Sequence, residues 1–85
     1  MKHLLAFVKQ RNAFNALFKN PPLDLTVASD RQRVAEIIDS ALSPENLTCD
    51  GELPRSVVQA RYKMLTRAAQ ELQSIDPAVT FYEYN

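Results

Sequence analysis

The stretch from Pro54 to Ile75, PRSVVQARYKMLTRAAQELQSI, is the longest part of this chain that can be helical without interruption. Proline is tolerated in a first helical turn, where its missing N–H has no intrahelical partner to lose. The residue before a proline is pushed out of the α region, so Asp76-Pro77 marks the far end. Stepping about 100° per residue gathers Val57, Val58, Tyr62, Met64, Leu65, Ala68, Ala69, Leu72 and Ile75 on one broad face. Gln59, Lys63, Thr66, Arg67 and Gln70 lie opposite. Such a helix must bury one side against something. Arg61 falls inside the apolar arc, where it either lays its aliphatic stem over apolar surface and reaches water, Asp50 or Glu52, or anchors a partner.

Two more helices are legible. Residues 3–19 form the first, closed by Asn20-Pro21-Pro22, with Leu4, Phe7, Val8, Phe14 and Phe18 expected to pack as a core stripe. Arg11 and Asn15 sit inside that stripe. Residues 30–42 form another, in which Val34, Ile37, Ile38, Ala41 and Leu42 follow the i, i+3, i+4, i+7, i+8 template. Ser29 and Gln32 have the spacing of a capping box at its start. Ser43-Pro44-Glu45 offers a cap, a proline suited to a first turn and an acid at the positive end of a helix dipole, enough for one more helical turn. Leu23 to Val27 and Val79 to Tyr84 alternate apolar and polar residues, and are candidates to pair as a minor β-ribbon resting on the helices. The expected fold is a single, mostly α domain of three helices, 3–19, 30–42 and 54–75.

With 85 residues, a domain buries only somewhat over ~60% of its unfolded surface, so a bound partner or a second copy is a reasonable source of added stability. One glycine in the whole chain favours helices over a turn-rich β fold, and 46% hydrophobic residues favour folding over disorder. The formal net charge is zero, which removes the global field of a domain that grips nucleic acid through phosphates. The charge is uneven. Residues 1–23 carry Lys2, Lys9, Arg11 and Lys19 with no acid, and the rest has six cations against ten acids.

Chemistry is hard to place. Cys49 is alone, so no internal disulfide forms, a reducing compartment suits it, and the neighbouring acids raise rather than lower a thiol pKa. His3 is the only histidine and stands near a terminus that frays, which leaves no Cys–His pair or Ser–His–Asp set. There is no glycine-rich phosphate loop and no zinc pattern. The Asn46 to Val57 segment has a superficial calcium-loop look around Asp50 and Gly51, but Pro54 and Val57 occupy ligand positions. Neither a catalytic residue, a metal nor a cofactor is expected. The opening MKHLLAFVKQR starts like a secretion signal, yet its apolar run stops at Val8, and no stretch reaches the roughly 18 to 20 apolar residues of a membrane span. A basic first helix could still lie on a membrane surface or in a partner's groove.

Leu53-Pro54-Arg55-Ser56-Val57-Val58 resembles the start of the recognition helix in winged helix-turn-helix regulators of the IclR type. That resemblance implies a DNA-binding regulator using residues 54–67, with Arg55, Ser56, Gln59 and Lys63 facing the major groove. The segment LSPENLTCDGEL, residues 42–53, resembles stretches in small bacteriophage and mobile-element proteins. It implies the cytoplasm of a bacterial host and action by binding a host protein. The leading expectation is a non-enzymatic protein-binding module. Its expected contacts are Arg55, Gln59, Lys63 and Arg67 on the exposed side of the long helix, with Tyr82 and Tyr84 near the C-terminus, since arginine and tyrosine are enriched at interfaces.

Overall fold

The computed structural model describes residues 1–48 and 54–82, and among them forms four helices and no strand. These are α1 (Lys2–Leu17), α2 (Ala28–Leu42), α3 (Pro44–Thr48) and α4 (Arg55–Ile75). Helix α4 is continuous and is the element on which α1, α2 and α3 all pack. The core is one cluster: Leu4 and Val8 of α1, Val34, Ala35, Ile38 and Leu42 of α2, and Leu65, Ala68, Ala69 and Leu72 of α4, closed by Leu23 between α1 and α2 and by Val79 and Phe81 after α4. Each fully buried Leu, Ile or Val contributes about 1.5–3 kcal/mol by leaving water. Ala35, Ala68 and Ala69 are fully buried small side chains, which let the helix backbones approach closely.

The core draws on the C-terminal half of α4. Leu65 and Leu72 are buried and Val58 is half-buried, whereas Val57, Tyr62 and Ile75, expected on the same buried face, are exposed. Pro54 stands at the N-cap, one residue ahead of the helix, and Asp76 ends it before Pro77. Cys49 and the Asp50-Gly51 turn lie outside the described residues.

Helix ends are made differently from the sequence expectation. α1 stops at Leu17, before the prolines, because Lys19 turns into the left-handed region (φ 56°). The Lys19 N–H then donates to Ala16 O at 3.1 Å and the Asn20 N–H to Asn15 O at 3.0 Å, the two bonds of a Schellman motif. The Ser29–Gln32 capping box does not form. α2 begins earlier, after an Asp24 turn in which Oδ1 accepts the Thr26 N–H at 2.9 Å and the Thr26 hydroxyl at 2.6 Å. Asp30, in the first turn of α2, reaches back to accept the Asp24 N–H at 3.0 Å, a carboxylate placed where the helix dipole favours it. Pro44 opens α3 as the sequence suggests.

The β-ribbon is absent from the described residues, and side-chain amides explain why. Asn12 of α1 clamps Leu23, its Oδ1 accepting the Leu23 N–H at 2.7 Å and its Nδ2 donating to Leu23 O at 3.1 Å. Gln32 of α2 clamps Thr80 in the same way, accepting its N–H at 3.0 Å and donating to its carbonyl at 3.2 Å. The buried Asp39 carboxylate accepts the Tyr82 N–H. Leu23 and Thr80 thus each meet both of their backbone hydrogen bonds on a helix, Leu23 on α1 and Thr80 on α2, and not on one another. Residues 83–84, the end of the expected second strand, lie outside the described residues.

Candidate interaction surfaces

α1 corrects the expectation about its phenylalanines. On the helix, Phe7, Arg11, Phe14 and Phe18 recur at i, i+4, i+7 and i+11, along a flank roughly 70° round from the line of Leu4, Val8 and Asn15. The core takes the second line and leaves the first at its edge. Phe7 is half-buried, while Phe14 and Phe18 remain 50% and 62% exposed, next to Leu17 at 79%. The Phe14 and Phe18 rings are 5.1 Å apart, tilted at 54°, and the Arg11 guanidinium lies over Phe14 at 5.2 Å. A signal was present: Leu4, Leu5, Phe7, Val8, Phe14, Leu17 and Phe18 spread over an arc of about 240° around α1, more apolar surface than neighbours on one side can cover.

Arg11 also lines a groove of about 320 Å³ whose walls are Phe7 of α1, Ile37, Ser40 and Ala41 of α2, and Asn46 of α3. Asn46 is fixed by donation from its Nδ2 to Ser40 O at 2.6 Å, which holds the α2–α3 corner in place. A second groove of about 340 Å³ adjoins it, sharing Arg11, Ile37 and Ser40 and adding Arg33 and Glu36. The Arg11 Nε is shut off from water and has no hydrogen-bond partner among the described residues. Arg61, the other cation inside an apolar arc, behaves differently: its Nη1 lies 3.4 Å from Asn46 O, a long bond that ties α4 to α3.

The expected contact residues of α4 lie together. Arg55, Gln59, Lys63 and Arg67 are all exposed, spaced four apart along one face, and their side chains make no ion pair or hydrogen bond among the described residues. Lys63 and Arg67 edge a shallow groove of about 300 Å³ with His3, Ala60 and Met64. Tyr82 is 79% exposed, but Asp39 holds its backbone against α2. Tyr84 lies outside the described residues. The place of Arg11 in a groove is not legible in the sequence, because helical stepping sets it among apolar residues without saying which neighbour covers them.

Beneath these surfaces is a set of carboxylates acting as structural ties. Glu71 of α4 accepts the Leu4 N–H at 2.9 Å, with His3 Nδ1 2.9 Å away and the N-terminal amine at 3.6 Å. The Leu4 N–H, above all, holds the Glu71 carboxyl below the usual carboxylate range, with help from His3 and the amine and against the effect of burial. Asp76 is lowered chiefly by the Arg31 Nε–H at 2.7 Å and then by the Ala78 N–H; Arg31 also donates to Leu25 O at 2.9 Å. Asp24 is lowered first by the Thr26 hydroxyl and then by its N–H. No group of three or more metal-ligating side chains occurs among the described residues, and no described helix is long and apolar enough to cross a membrane.

Fold and surfaces together define a small helical domain with one open aromatic flank and one cationic face. No family model, curated protein or solved structure matches the chain.

Proposed function

We propose that this chain is a non-enzymatic protein-binding module, and that its contact surface centres on the open flank of α1. The observation that carries the reading is the exposure of Phe14, Leu17 and Phe18 as one group at the end of a helix. Contiguous exposed apolar side chains mark interaction sites, and aromatic residues with an arginine are the types interfaces concentrate. The resemblance of residues 42–53 to phage and mobile-element proteins extends the reading to a host protein as partner.

A photo-crosslinking amino acid at position 18 of the full chain, compared with one at position 63, tests it in bacterial cells. A defined protein adduct from position 18, lost on Leu17→Ser, is the expected result; adducts from position 63 alone, or none, sink it. The exposed Arg55, Lys63 and Arg67, without an ion pair among the described residues, favour the second reading, a DNA-binding regulator using the start of α4. Phosphate-driven binding weakens steeply with salt. A duplex shift at low salt that disappears at moderate salt, and that requires Arg55 and Lys63, would put that reading first.

A further inference from the structure

We propose that the groove between α1, α2 and α3 is a carboxylate subsite, so that the partner presents an acidic side chain beside an aromatic or aliphatic one. This rests on the protein-binding reading and names the chemistry of what binds. An arginine keeps its charge at any ordinary pH and offers five N–H donors. In Arg11 the Nε–H is closed off from water without an acceptor among the described residues, an arrangement that costs free energy until an acceptor arrives. Asp24, Asp30, Glu71 and Asp76 are committed to other groups, and Glu36, the only acid lining the adjoining groove, makes no ion pair with Arg11. Among the described residues the chain therefore supplies a cation and no counter-ion for it.

The surroundings favour one kind of anion. Phe7, Ile37 and Ala41 give the groove apolar walls, Ser40 and Asn46 add polar edges, and the flank continues through Phe14 to Phe18. A planar carboxylate matches the guanidinium fork. Entering the groove, it meets the Nη donors first and, as Arg11 rotates off the Phe14 ring, the Nε donor as well. The apolar group beside it lies on Phe7 or Phe14. Residues 1–23 carry four cations and no acid, which adds a long-range preference for an acidic segment.

The probes are 3-phenylpropionate and its uncharged analogue 3-phenylpropionamide, titrated into the full chain while the Arg11 Nε–H and Ala41 methyl resonances are followed by NMR. The expected result is a saturable shift of both signals with the acid, and binding of the amide weaker by at least about tenfold, the worth of a charged hydrogen bond. Arg11→Gln abolishes the preference for the acid. Arg11→Lys, which keeps charge without the fork, retains only part of it. Because the acid and amide are compared on the unaltered protein, the result does not depend on how the variants fold. Equal binding of both probes, or binding of neither, overturns the carboxylate subsite. The crosslink from position 18 reports separately: an adduct that survives Arg11→Gln at full yield leaves protein binding standing and removes the acidic anchor.

Discussion

Glu71, near the end of α4, caps the beginning of α1 by accepting the Leu4 N–H at 2.9 Å. Leu4 is the third residue of α1, and the first turn of that helix has neither a capping side chain nor an acid of its own. Leu4 is fully buried, so without Glu71 its N–H would lose its acceptor where water does not reach. A residue 67 positions away supplies what local sequence omits, and the same bond fixes the register in which α1 docks on α4.

Replacing Glu71 by alanine is expected to lower the thermal unfolding midpoint and to speed hydrogen exchange at the Leu4 amide, leaving the interior of α4 protected. Glutamine at 71 should retain part of the cap, because its carbonyl oxygen still accepts. Exchange rates at Leu4 unchanged by Glu71→Ala would show that the cap does not stabilise α1.

The same carboxylate makes stability pH-dependent. Glu71, Asp76 and Asp24 all have folded pKa values below their ordinary ones. As pH falls, the unfolded chain takes up these protons first, so unfolding is favoured. The stabilisation is complete above the ordinary carboxylate range and is lost as pH drops through the folded values. Denaturant titrations across acidic pH should show this decline, and Glu71→Gln combined with Asp76→Asn should flatten it.

Asn12 presents a sharper test of packing through polar groups. Asn12→Ala leaves the N–H and carbonyl of Leu23 without their clamp while Leu23 itself is buried, at an expected cost of about 1–3 kcal/mol. Urea unfolding measures it. A loss below the error of that method would mean that water replaces the amide without penalty.

Lys19 holds a left-handed conformation that glycine adopts without steric cost. Lys19→Gly should stabilise the chain by roughly 0.5–1 kcal/mol, the steric penalty of a side chain there less the entropy glycine adds to the unfolded state. The Schellman bonds to Asn15 and Ala16 should persist, visible as protected amides at 19 and 20.

Much of the helical framework could be read directly. Pro54 and Pro77 bracket α4, Pro44 opens α3, and the unbroken spacing of Val34, Ile38 and Leu42 points α2 at the core. These features follow from the fixed geometry of proline and the period of the helix, which act within a few residues. The exposed row Arg55, Gln59, Lys63 and Arg67 was legible for the same reason.

What tertiary structure alone decided is which part of each apolar arc was covered and what met the backbone of each connection. Periodicity fixes the angle of Phe14 or Val57 about its helix axis, but burial depends on where the neighbouring helix crosses. Here close packing at Ala68 and Ala69 of α4 centres the core on Leu4 and Val8, and leaves Phe14, Leu17 and Phe18 outside. The alternation in 23–27 and 79–82 signalled extended chain, but Leu23 and Thr80 found their partners in Asn12, on the helix just before, and in Gln32, 48 residues away. A hydrogen-bonding group requires a partner, and local sequence does not say whose.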